Sequence, residues 1–150
     1  MKLRTELEPN IERAEELFTE ILSLISKFDS AFDQGDEDLM DTTVNQLNEL
    51  TGKSISKDDL YEYWGYTSIE DLAFDISLPS PQKVENITND EVIEIKRRIE
   101  TIFEQSEDYF KKLSPFLIKQ GATLVEGLDN YYNELLDKNI PTPPDKVIYL

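Results

Sequence analysis

Asn10-Ile-Glu-Arg-Ala-Glu-Glu-Leu-Phe-Thr-Glu-Ile-Leu-Ser-Leu-Ile-Ser-Lys-Phe-Asp-Ser-Ala-Phe-Asp33 is the stretch whose reading decides the fold. Its apolar side chains fall at Ile11, Ala14, Leu17, Phe18, Ile21, Leu22, Ile25, Phe28 and Phe32, in steps of three and four. At about 3.6 residues per turn those steps lay one apolar stripe along a long helix. Pro9 stands near its start, where a missing N–H costs little. Gln34-Gly35 marks its end, with glycine free to take the left-handed position after the last turn.

The same signals continue outward. Asp36-Glu37-Asp38 puts negative charge on the first turn of a second helix, which runs to about Leu50 with Leu39, Met40, Val44 and Leu47 inward, before Thr51-Gly52 closes it. Ser56-Lys57-Asp58-Asp59 opens a short helix, cut off by Gly65 after Trp64. Thr67-Ser68-Ile69-Glu70 reads as a capping box for another short helix carrying Ile69, Leu72, Ala73 and Ile76, which ends before Pro79-Ser80-Pro81. Thr88-Asn89-Asp90-Glu91 is a further box, opening a long helix through Val92, Ile95, Ile99, Ile102, Phe103, Phe110 and Leu113. Ser114-Pro115 stops that helix and starts the last one, with Leu117, Leu124, Leu128, Tyr131 and Leu135 inward and Gly121 or Gly127 as a kink. Lys146-Val147-Ile148-Tyr149-Leu150 is β-prone, and sustained period-two alternation is absent. The expectation is an all-α fold: one acidic helical domain over 1–150, a bundle of three long and several short helices, with a short extended C-terminal tail as a further option.

Composition narrows the chemistry. The chain has 150 residues, 39% of them apolar, enough for one core. It has 32 acidic against 15 basic residues, a net charge of -17, and neither Cys nor His. Such a surface repels phosphate, so direct binding to nucleic acid or an anionic membrane is disfavoured. Without Cys and His there is no zinc site of the usual kind, thiol nucleophile, Ser-His triad, haem-His ligation or imidazole switch. The first 50 residues carry 13 acids and 4 bases, the next 50 carry 11 and 6, and the last 50 carry 8 and 5, so the negative face belongs mainly to the first two thirds. The start, Met1-Lys2-Leu3-Arg4, lacks the apolar core of a secretory signal, and no run approaches the ~20 apolar residues of a membrane span. A cytoplasmic location is therefore expected.

Two stretches stand out. Tyr61 to Asp75 places Tyr61, Tyr63, Tyr66 and the single Trp, Trp64, among Glu62, Glu70, Asp71 and Asp75. So short a helix cannot turn all those rings inward, and aromatics with polar tips ringed by charge have the composition of binding hot spots. The bland alternative is that Tyr61, Trp64 and Phe74 are core. The second stretch is Asp33, Asp36, Glu37, Asp38 and Asp41, with Asp58 and Asp59 further on. Each fits an ordinary helix start. The chain's net charge of -17, however, exceeds the ~2–8 charges that solubility needs, and the excess suits electrostatic capture of a basic partner.

Other chemistries are poorly supported. A calcium loop fails on the positions of its glycine and final glutamate, and a carboxylate-bridged di-metal bundle needs histidine. There is no nucleophile elbow, phosphate-cradling glycine loop or Ser-x-x-Lys in a fitting context. Pairs of carboxylates are unavoidable with so many acids and carry almost no signal. Lys96-Arg97-Arg98 spreads around a helix and is expected to pair with Glu94, Glu100 or Glu104. No catalytic residue, metal or cofactor is expected, and the chain reads as a binding protein rather than an enzyme.

Leu60-Tyr61-Glu62-Tyr63-Trp64, Ser68-Ile69-Glu70-Asp71-Leu72-Ala73, Pro79-x-Pro81 and Ile87-Thr88-Asn89-Asp90-Glu91 together resemble small acidic immunity proteins of bacterial toxin–immunity systems, of the contact-dependent or colicin-like type. The resemblance spans roughly residues 15–105 and is one of style. It implies a cytoplasmic inhibitor of a cognate toxin domain, often a nuclease. In the colicin nuclease-immunity family a helix-borne tyrosine pair and surrounding acids carry binding, and Tyr61, Tyr63 and Tyr66 are the residues of matching type. Independently, a nuclease that grips a polyanion is basic around its active site, so an acidic, aromatic surface mimics the substrate's charge. The partner-binding expectation is Asp36, Glu37, Asp38, Asp41, Asp58, Asp59, Glu62, Tyr63, Trp64, Tyr66, Glu70 and Asp71. One rival is a DNA-mimic or regulatory adaptor for another basic protein. The other is a small carboxylate enzyme, which requires a deep pocket with at least one strongly raised carboxyl pKa.

Overall fold

The computed structural model describes residues 2–61 and 63–140. The expected extended tail and Glu62 lie outside the described residues. Eight α-helices and two 3₁₀ turns, with no strand among the described residues, make the fold all-α. They are α1 (Ile11–Gln34), α2 (Glu37–Thr51), α3 (Lys57–Leu60), α4 (Ile69–Ser77), α5 (Asn89–Thr101), α6 (Glu107–Leu113), α7 (Pro115–Lys119) and α8 (Val125–Asn139).

The first half follows the local signals closely. The Asn10 side chain accepts from Arg13 N, and Gly35 ends α1 at φ 68°, a conformation that a side chain resists. Asp36 caps α2 in the same way, accepting from Leu39 N. Ser56 and Asp59 form a reciprocal capping box on α3, as Thr88 and Glu91 do on α5. The cap of α4 differs from the Thr67-to-Glu70 box: Ser68 is the capping residue and accepts from Asp71 N, one position later.

The second half departs more. The helix expected to run from Thr88 to Leu113 breaks after Thr101 into a 3₁₀ turn, Ile102–Glu104, and restarts at Glu107. Ser106 causes the restart, since its side chain accepts from Tyr109 N and supplies a new N-cap in mid-pattern. Phe103 consequently swings outward and is 65% exposed, although its spacing marked it as inward. The expected last helix is also two: α7 ends at Lys119, and α8 begins after Gly121 (φ 101°) and Leu124 (φ 71°), two left-handed residues that no helix continues through. Gly127 is not a kink. A Cβ there would lie 2.6 Å from Phe74 Cδ2, so glycine is what lets α8 approach α4.

Helix α1 packs on α2 and α4, α4 on α8, and α8 on α5, so the short α4 is central. One cluster of buried apolar residues runs from Leu3 to Leu135, with Phe18, Phe28 and Phe74 its largest fully buried members. The segment before α1 belongs to it. Leu3 and Leu7 are buried, Tyr131 donates its hydroxyl to Leu7 O at 2.9 Å, and Arg4 forks onto Glu91 with two 2.7 Å bonds. Glu94 receives Arg97 and Arg98, and Arg98 also reaches Glu8, which accounts for two of the three clustered bases. No helix among the described residues is long and apolar enough to cross a membrane.

Candidate functional site

The last turns of α1, the start of α2 and the turn after α3 meet in one aromatic and acidic face. Phe32 follows the buried Phe28 by one turn and emerges at the helix end, 42% exposed. Tyr61, half-buried, packs between them, with ring centroids 5.8 Å from Phe28 and 5.4 Å from Phe32. Trp64 lies 6.0 Å from Phe32 and edge-on to Tyr63 at 5.6 Å, yet remains 57% exposed. Tyr66 is 69% exposed. Tyr63 alone of the candidate rings is buried, and its hydroxyl donates to Asp29 Oδ2 at 2.5 Å. Trp64 is therefore supported from beneath by an anchored tyrosine and flanked by a phenylalanine. Aromatic contacts of this kind contribute about 0.5–1.5 kcal/mol each beyond area burial.

The acids divide into two sets. Asp33, Asp36, Glu37, Asp38 and Asp41 are all exposed at the α1–α2 junction. Lys57 reaches back from α3 to Glu37 Oε2 at 2.9 Å and Asp41 Oδ1 at 3.0 Å. Those two contacts, Glu37 first, hold the Lys57 ammonium well above its ordinary pKa. Asp58 is exposed, while Asp59 is exposed but closes the α3 capping box. Asp71 is engaged internally. Its Oδ1 accepts Thr123 N at 2.6 Å and the Thr123 hydroxyl at 3.0 Å, tying α4 to the turn before α8. Glu70 is half-buried, with its side chain beside Gly121. The face around Trp64 thus draws on the α1–α2 junction, while Asp71 is committed to the fold.

Beyond Asp59 and Tyr66 lies a cleft of about 790 Å³. It opens between the end of α2, the later part of α4, the Pro79–Pro81 loop and α8. Lys53, Asp75, Asn130 and Glu134 are among the polar side chains that line it, with Asp59 at its edge. The position of Lys53 follows from the sequence of α4. Residue 79 is proline and has no N–H, so the Asp75 carbonyl lacks its usual helical donor. Lys53 Nζ supplies one at 3.1 Å and places positive charge at the helix C-terminus. Burial lowers the Lys53 pKa, against the pull of Asp75 and Glu134. Burial raises that of Asp75, opposed by Lys53 and Asn130.

Residue patterns did not single out Phe32, Asp29, Lys53, Asn130 or Glu134. The one available signal was proline at 79, which orphans a carbonyl and calls for a donor from elsewhere. Among the described residues no group of three or more acids could hold a metal ion. No family model matches the chain, and no curated protein or solved structure matches it either.

Proposed function

We propose that this chain is an immunity protein, not an enzyme, that acts in the cytoplasm. It binds a cognate bacterial toxin domain, a basic nuclease, and covers the active site with the face around Trp64. The observation that carries the reading is Trp64 itself: a large ring left more than half exposed, held by Phe32 and Tyr63, beside five exposed carboxylates. Exposed aromatics that are rigidly supported lose little entropy on binding and make good anchors. The surrounding charge steers a basic partner, with association rising toward ~10⁸ M⁻¹s⁻¹ at low salt.

The test is to mix the purified protein with the product of the gene immediately upstream and follow both complex formation and toxin activity. A tight complex whose association slows with salt, with toxicity suppressed, supports the reading. Trp64→Ala is expected to weaken it by about 100-fold or more, the loss typical of a central aromatic anchor. If the neighbouring product is not bound, or is bound equally well by Trp64→Ala, the proposal fails.

The carboxylate-enzyme reading rests on one observation, Asp75 with its raised pKa in the cleft. In that reading Asp75 is the acid, and its loss abolishes turnover while leaving binding of a basic protein unchanged.

A further inference from the structure

The cleft beside Tyr66 holds charged groups that the Trp64 face does not use. Its polar groups carry both signs of charge. Lys53 donates one hydrogen bond to the Asp75 carbonyl, and an ammonium has three donors. No carboxylate of the described residues comes within ion-pair distance of it. Asp75 and Lys53 sense each other's charge without touching through their side chains. Glu134 stands on the outer wall, shared with Lys138 at 3.3 Å. Leu72, Ile76, Leu78 and Pro81 supply apolar wall. The volume, about 790 Å³, falls in the range of small-molecule sites, and the lining combines these apolar side chains with a larger polar share that includes both signs of charge.

We propose that this cleft binds a small zwitterion with an apolar side chain, of the free amino-acid type, its carboxylate on Lys53 and its ammonium between Asp75 and Glu134. A simple anion is opposed by the chain's net charge of -17, and a simple cation meets Lys53. A molecule with both charges satisfies the unused Lys53 donors and the carboxylates together, and its side chain lies against the apolar wall.

The experiment is a nuclear magnetic resonance titration of the full-length, ¹⁵N-labelled protein with three probes that share one apolar tail: L-leucine, isocaproate and isoamylamine. L-leucine is expected to shift the Ser54, Asp75 and Asn130 amides saturably at millimolar concentration. Each singly charged analogue is expected to bind about tenfold more weakly or worse. Lys53→Met lowers leucine to the level of the amine. Because Lys53 also caps α4, Glu134→Gln provides a second variant, expected to bring leucine toward the level of the carboxylate while amides remote from the cleft stay in place. Trp64→Ala leaves leucine binding intact, which separates this site from the toxin-binding face. The proposal is overturned if leucine leaves those three amides unmoved, if all three probes move them alike, or if both cleft variants bind leucine as the parent does.

Discussion

Tyr63 donates its hydroxyl to Asp29 Oδ2, while Oδ1 of the same carboxyl is buried with no partner among the described residues. The Tyr63 ring meets Trp64 edge-on, so a half-satisfied carboxyl anchors the tyrosine on which an exposed aromatic of the face rests. Burial raises the Asp29 pKa, and the Tyr63 hydroxyl is the largest influence holding it down. Tyr63→Phe is therefore expected to raise it further and to destabilise the fold by about 1–3 kcal/mol, the cost of stranding a buried polar group. Urea unfolding near neutral pH measures this. A change within about 0.5 kcal/mol would show that the bond contributes little.

Gly127 is expected to be intolerant of the smallest side chain. Alanine there would place its Cβ 2.6 Å from the Phe74 ring, which is fully buried and has nowhere to turn. The loss is expected to be about 1–3 kcal/mol, although alanine is intrinsically the better helix former by about 1 kcal/mol. A thermal melt of Gly127→Ala at or above that of the parent would contradict the close packing of α4 and α8.

Acid should unfold the protein in a definable window. The Arg4 fork holds Glu91 at about 2, and Arg97 and Arg98 hold Glu94 at about 2, each against an ordinary 4.5. Depressed carboxyls contribute stability above the unfolded value, and it is lost as pH falls through the folded one. Stability is thus expected to decline from about pH 4.5 toward about pH 2, on the order of 1 kcal/mol for each carboxyl after solvent screening. Asp29 and Asp75 act in the opposite sense: their raised pKa values mean that protonation relieves the folded state, which softens the decline. Chemical denaturation of the parent and of Glu91→Gln across this window checks the sign. The variant should show the shallower slope.

Asp71 is expected to behave as a structural residue. Asp71→Ala removes three hydrogen bonds to Thr123 and should cost about 1 kcal/mol or more, while partner association keeps its salt dependence. Trp64→Ala should remove partner affinity, with a stability cost of about 1–3 kcal/mol from its two ring contacts. Unfolding and binding measured side by side on the two variants distinguish anchor from scaffold. Equal binding losses from both would contradict the division.

The class of fold, the first two helices and the start of the third were legible because their determinants are local. An apolar stripe, an aspartate cap and a glycine stop act over a few residues, and α1 and α2 begin and end where those residues stand. Ser106 shows the limit of such reading. The apolar period runs straight through 102–113, and nothing in the period itself tells a continuing helix from one restarted by a serine cap.

Composition and pattern alone determined that this chain is helical and strongly acidic and lacks Cys and His, since backbone hydrogen bonding, side-chain periodicity and charge are properties of the chain itself. Tertiary packing alone decided that Phe32 joins Trp64 at the surface, that Tyr63 turns inward to Asp29, and that Lys53 and Asp75 face one cleft. Those placements depend on which helix faces compete for the same core volume, and residues 22 or 34 positions apart in sequence meet only once that competition is settled.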